Sequence, residues 1–139
     1  MTKLDSLKFN LWDSDGTLAD LISRWVPKKC STEKEYEKSL LNFLNKEIPD
    51  IKIIPQYAIG RSKADLLIGN DIILEIKKDL TKTTQYDRLI GQLTRYQEWK
   101  GRVIVLLVGE VDNNLKKGIE KFINNSSFLF FKKNSVIVK

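Results

Sequence analysis

Two short apolar runs around a polar cluster form the clearest pattern in the chain. Ala64-Asp65-Leu66-Leu67-Ile68 and Ile72-Ile73-Leu74-Glu75-Ile76-Lys77 flank Gly69-Asn70-Asp71, which predicts a β-hairpin with a three-residue loop. Centring the hairpin on Asn70 sets Asp65 opposite Glu75 and Lys63 opposite Lys77. Side chains alternate along a strand, so Glu75 and Lys77 point the same way. Upstream, Ile51 to Ile59 predicts the first core strand, with Pro55 marking an edge or a bulge. Downstream, Thr83 to Trp99 carries Tyr86, Leu89, Leu93 and Tyr96 at helical spacing. After Gly101, Val103 to Val108 is a strongly apolar strand.

The flanking elements are weaker. A helix begins at Ser31-Thr32-Glu33-Lys34-Glu35, where Ser31 or Thr32 caps it and acids favour its first turn. Tyr36, Leu40, Leu41, Phe43 and Leu44 form its buried side. Leu7 to Trp12 is a short strand, and Thr17 to Trp25 a short amphipathic helix stopped by Pro27. Asp112 or Asn113 caps a helix through Ile123, followed by strands at Phe128 to Phe131 and Val136 to Val138. Together these elements predict an α/β fold, a mixed β-sheet core flanked by α-helices. The 139 residues suit one domain: residues 1–30 an N-terminal extension with no role assigned, 31–110 the core, 111–139 a C-terminal helix and strands.

The hairpin charges are chemically awkward. Opposed like charges destabilise a sheet, and carboxylates near a core are costly unless paired or metal-bound. A divalent cation resolves both problems. A cross-strand salt bridge from Glu75 to Lys63 or Lys77 is the plainer alternative.

Asp65 followed by Glu75-Ile76-Lys77 resembles the signature of the PD-(D/E)xK nuclease superfamily, an Asp near the start of a core strand and Glu-x-Lys on the next. Ala64 stands where the family often has Pro. Gln92-Leu93-Thr94-Arg95-Tyr96 is similar to the Q-x-x-x-Y helix of the RecB-type branch, whose Gln faces the active centre. The resemblance spans residues 33–110 and implies a restriction-endonuclease-like fold. It also implies a metal-dependent nuclease that hydrolyses phosphodiester bonds, in DNA rather than RNA. Asp65 and Glu75 would hold Mg2+, with Mn2+ as a substitute and the Ile76 carbonyl as a neutral ligand. Lys77 would orient the attacking water or stabilise transition-state charge, and Gln92 would position the water or the scissile phosphate. The family usually adds a Glu from the helix before the sheet. Glu37 shares the face of Leu40, Leu41 and Leu44 and is favoured; Glu33 lies one turn earlier on the same side, and Glu35 points away. Arg61, Lys63, Arg88, Arg95 and Tyr96 are the expected nucleic-acid contacts, with Lys78 and Lys82 as further candidates.

A second motif competes. Asp13-Ser14-Asp15-Gly16-Thr17 resembles the D-x-D-G-T signature of haloacid dehalogenase-type phosphatases, which would make Asp13 the nucleophile and Asp15 the general acid. Asn10 interrupts the apolar strand that should precede it, and such a fold rarely fits a chain this short. The other alternative is a non-catalytic nuclease-like domain that binds nucleic acid or a partner.

Charge and composition narrow the choice. Twenty-four Lys and Arg against 18 Asp and Glu give a net charge of +6, which suits a polyanionic partner and salt-sensitive binding. The absence of histidine excludes His-dependent triads, His-ligated zinc and His general bases. The lone cysteine, Cys30, excludes an intramolecular disulfide and fits a reducing, cytoplasmic compartment. No apolar run approaches a membrane span and the N-terminus lacks a signal-peptide pattern, so no membrane association is expected. A homodimer or a partner subunit stays open, with Phe128 to Phe131 the candidate surface.

Overall fold

The computed structural model describes residues 17–99, 101–125 and 135–139. The expected strands at Leu7 to Trp12 and Phe128 to Phe131 lie outside these residues, as do Asp13 and Asp15 of the competing motif. Helices α1 (Thr17–Ser23) and α2 (Glu33–Glu47) precede strands β1 (Ile53–Ile59), β2 (Ser62–Ile68) and β3 (Ile72–Leu80). Helix α3 (Thr83–Arg95), a 3-10 turn (Tyr96–Glu98), β4 (Arg102–Val111), α4 (Asn113–Asn125) and β5 (Ser135–Val138) follow. The strands form one five-stranded sheet in the order β1-β2-β3-β4-β5. The first two pairings are antiparallel and the last two parallel, so the fold is α/β with a mixed sheet. Parallel neighbours need a crossover, and α3 supplies the one from β3 to β4.

Strand β4 shows why the sheet is covered on both faces. Its run Val103 to Val108 is buried throughout, as an interior strand between helical layers requires. Ile104, Leu106 and Val108 pack in one layer with Ile22 of α1, Trp25, and Leu40 and Leu44 of α2. Val103, Val105 and Leu107 pack in the other with Leu89 and Leu93 of α3 and Ile119 and Ile123 of α4. Thr32 caps α2: its hydroxyl accepts from the Glu35 amide, and the Glu35 carboxylate accepts from the Thr32 amide. Glu35 is thereby committed to the helix start, and Glu33 and Glu37 are left to face the sheet. At α4 the cap is Asp112, whose carboxylate accepts from the Leu115 amide at 3.0 Å. Among the described residues no helix is long and apolar enough to cross a membrane.

Asp71, in the β2–β3 turn, joins the hairpin to the start of β4. Its carbonyl accepts from the Arg102 amide at 3.0 Å and from the Trp99 indole at 2.8 Å, and its carboxylate lies 3.3 Å from the Arg102 guanidinium. Gly101 is pressed against this knot: a Cβ there would lie 1.8 Å from the Asp71 carbonyl oxygen. Gly91, inside α3, would meet nothing within 4 Å. Gly101→Ala is therefore expected to destabilise the protein by about 2 kcal/mol or more, and Gly91→Ala to stabilise it by about 0.5–1 kcal/mol. Urea unfolding of both variants checks this; equal effects would contradict the close approach at Asp71.

Candidate active site

The β2–β3 ladder runs Ile68–Ile72, Leu67–Ile73, Leu66–Leu74 and stops. Its register is the one centred on Asn70, so Asp65 and Glu75 are the next residues in line. In place of a further backbone pair, the Asp65 carboxylate accepts from the Ile76 amide at 2.7 Å. The Glu75 carboxylate in turn takes the Asp65 amide. The other edge of β2 is interrupted at the same level: Pro55 pairs with Leu66 and Tyr57 with Ala64, while Gln56 between them adopts φ 53°. Strict alternation would put Ala64 and Leu66 on one face. Ala64 instead packs in the α3 layer and Leu66 in the α2 layer, so the strand turns over at Asp65. Lys63 falls opposite Ala58 and Lys77 opposite Leu107. The expected Lys63–Lys77 opposition does not form, because the strands have separated before reaching it.

Glu75 is buried beneath α3. The Gln92 amide donates to it at 3.3 Å, and the Tyr96 hydroxyl lies 3.0 Å from its other oxygen and 2.9 Å from the Lys63 carbonyl. Gln92 and Tyr96 are four residues apart and so fall on one helical face. The Tyr96 hydroxyl is thus placed to donate to either oxygen, and its bond to Glu75 favours the carboxylate. Burial first and the nearby Asp65 charge second push the Glu75 carboxyl up to about 8, against the Tyr96 and Asp65 hydrogen bonds. Burial also pushes Asp65 up to about 6, opposed by the Ile76 amide and assisted by the Glu37 and Glu33 charges. Tyr96 is 1% exposed, which corrects its assignment as a nucleic-acid contact: it stands behind Glu75 and holds it. Its own hydroxyl is raised by burial and by Glu75.

Glu33 and Glu37 of α2 face this centre by different routes. Glu33 accepts from the Lys78 amide at 2.8 Å and lies 3.7 Å from the Lys77 ammonium. Glu37 accepts from the Gln56 side-chain amide at 3.0 and 3.1 Å through its two oxygens, and Gln56 also bonds Asp65. Lys77 thus pairs with Glu33, not Glu75, and the partners of Glu75 are Gln92 and Tyr96, so the cross-strand salt bridge is not the arrangement adopted. Gln56 carried no motif in the sequence; its position after Pro55 in an edge strand was the only signal. Its left-handed backbone, φ 53°, is uncommon for a residue with a Cβ, and its side chain reaches the Glu37 carboxylate.

Two adjacent carboxylates that burial and neighbouring acids raise above their ordinary range are a donor set suited to a hard cation. Among the described residues no three Asp, Glu, His or Cys side chains converge to hold a metal by themselves. Magnesium does not require that, since it keeps several waters and uses one or two carboxylates with a substrate phosphate. The expected phosphate contacts Arg61, Lys63, Arg88 and Arg95 are all exposed. The Arg95 guanidinium donates to Ser62 Oγ at 3.2 Å. The Lys78 ammonium is engaged with Asp79, and Lys82 stands at the start of α3.

No family model matches the chain, and no curated protein matches it. Among solved structures, SfsA from Pyrococcus furiosus, determined in complex with Ca2+, is similar at 16% identity and a TM-score of 0.44 over 76% of this chain. The chain spans 55% of the length of that structure.

Proposed function

We propose that this protein is a metal-dependent nuclease of the PD-(D/E)xK type, hydrolysing phosphodiester bonds in DNA. The observation that carries the proposal is the break in the sheet at Asp65. There two carboxylates, half-buried Asp65 and buried Glu75, stand side by side with raised pKa values, and Lys77 lies on the same strand two residues beyond Glu75. The match of Gln92 and Tyr96 to the Q-x-x-x-Y helix adds support, since both bond Glu75. DNA is favoured because that helix resembles those of recombination and repair nucleases, and the net charge of +6 suits a polyanion.

Asp65 and Glu75 would hold Mg2+ or Mn2+, with the Ile76 carbonyl as a further oxygen. Bound there, the ion would lower the pKa of a coordinated water and offset charge developing on phosphorus. The chain's own residues do the rest. Gln92 and Tyr96 fix the Glu75 carboxylate in orientation. Gln56 ties Asp65 to Glu37. The Lys77 ammonium, paired with Glu33, would stabilise negative charge on the reacting phosphate. Neither Glu33 nor Glu37 is singled out as the helix acid, because both charges act on Asp65.

The direct test is cleavage of linear duplex, circular, single-stranded and branched DNA and of RNA, with Mg2+, Mn2+ or EDTA. Wild type is expected to cut in either metal. Asp65→Ala and Glu75→Ala are expected to lose at least about a hundredfold while nucleic-acid binding survives, and Gln92→Ala about ten- to a hundredfold through its hold on Glu75. Equal cutting by Asp65→Ala would sink the assignment. Binding without cutting by wild type would favour the non-catalytic alternative.

A pH test needs no activity. In EDTA, the folded protein holds protons on Asp65 and Glu75 that the unfolded chain, with ordinary values of 3.8 and 4.5, has already released. Bound protons then favour the folded state, so their contribution is full at low pH and is lost as pH rises through about 6 and about 8. Relative to Glu75→Gln, wild type is expected to lose stability between pH 5 and 8 at up to about 1.4 kcal/mol per pH unit. Mg2+ should restore the loss in wild type alone. Parallel melting curves for the two proteins across that range would contradict the buried pair.

A further inference from the structure

One row of residues across the sheet is left out of both ladders of β2. Pro55 pairs with Leu66 and Tyr57 with Ala64, so the register sets Gln56 of β1 directly opposite Asp65. On the other side the β2–β3 pairs end at Leu66–Leu74, which sets Glu75 next to Asp65. Gln56, Asp65 and Glu75 therefore follow one another across three strands, at the spacing where side chains of neighbouring strands meet.

On backbone grounds, position 56 is a poor place for a glutamine. Its φ of 53° lies in the left-handed region, where glycine is unstrained and a residue with a Cβ is not. Pro55 before it already removes an N–H donor in a strand that borders the sheet among the described residues. Ending the strand pairing there requires neither the length of a glutamine nor its amide. The chain carries this side chain against the backbone preference, and its contacts give the reason. Its amide nitrogen lies 3.0 and 3.1 Å from the two Glu37 oxygens and also bonds Asp65. An amide nitrogen has two protons to donate, one for each carboxylate.

This clamp is uncharged. A lysine or arginine in its place would hold the same two acids by neutralising them, and the site would then contain its own cation. The glutamine fixes both carboxylates and leaves their negative charge in place, while the Lys77 ammonium is engaged by Glu33. Groups that orient a metal's ligands without competing for the metal's place contribute about 10- to 100-fold to its affinity.

We propose that Gln56 is a positioning residue for the cation site, an uncharged clamp that fixes Asp65 against Glu37 and so sets the affinity of Asp65 and Glu75 for a divalent ion. The proposal rests on the nuclease reading for the ion, and its test separates the two. Mn2+ binding to the full chain is measured by isothermal titration at neutral pH for wild type, Gln56→Gly and Gln56→Lys, with urea unfolding in EDTA alongside. Glycine suits the left-handed backbone and removes only the clamp; lysine keeps the reach and adds a charge. Gln56→Gly is expected to unfold in one cooperative transition, as wild type does, yet to bind Mn2+ about tenfold or more weakly. Gln56→Lys is expected to bind Mn2+ more weakly still, and to resist urea in EDTA better than Gln56→Gly because its ammonium stands in for the ion. A role confined to closing the strand edge predicts the same Mn2+ affinity in both variants, and that result would overturn the proposal. Gln56→Gly binding Mn2+ as tightly as wild type would overturn it, as would no saturable binding by wild type. Loss of cooperative unfolding in Gln56→Gly would also overturn it, since the amide would then serve the fold. A wild type that binds Mn2+ in the expected order but cuts no nucleic acid would count against the nuclease alone, because no arm of this test is read from cleavage.

Discussion

A side chain takes over the work of a backbone pair at Asp65, and the site depends on it. Where β2 parts from β3, the Ile76 amide would lose its ladder partner, and a buried amide left without an acceptor is costly. The Asp65 carboxylate accepts it instead, while the Asp65 amide serves the Glu75 carboxylate. The sheet can open here because these reciprocal bonds satisfy the backbone without continuing the strand pairing. The opening in turn brings two carboxylates together at the edge of an apolar core. Backbone that departs from regular structure at both Asp65 and Gln56 is the kind of local irregularity that functional sites accumulate.

The surrounding charges leave the pair unneutralised. The nearest cation on the same strand, Lys77, is drawn to Glu33, and Gln56 offers only a neutral amide to Asp65 and Glu37. Burial with neither full pairing nor free hydration raises both carboxyl groups, which is an unfavourable state for a purely structural network. Helix α3 shows how few residues are needed to maintain it. Leu89, Leu93 and Tyr96 pack against the sheet in one layer, and Gln92, one turn before Tyr96, joins it in fixing Glu75. Packing and orientation come from one helical spacing, so the helix cannot shift without moving the acid it holds.

Much of this arrangement was legible in the chain. The hairpin register followed from two apolar runs placed symmetrically about Gly69-Asn70-Asp71, and the observed pairs are centred on Asn70. The β4 strand and the α3 stripe followed from their apolar periods. What periodicity could not give was the departure from it. Alternation predicted that β2 continues past Leu66 with Lys63 facing Lys77, whereas the strand turns over at Asp65. Tyr96 lay on the apolar stripe with Leu89 and Leu93 and was expected to touch nucleic acid, yet its hydroxyl is turned to Glu75 and the Lys63 carbonyl. The place of Gln56 between Glu37 and Asp65 depends on contacts between segments distant in sequence, which no local pattern encodes.

The central claim is that Asp65 and Glu75 form a cation site in which metal displaces protons. Isothermal titration of wild type with Mn2+ at neutral pH, in buffers of different ionisation enthalpy, measures both events at once. The predicted result is saturable binding accompanied by proton release, with both lost in Asp65→Asn. Saturable binding unchanged in that variant, or no binding at millimolar Mn2+, would contradict it.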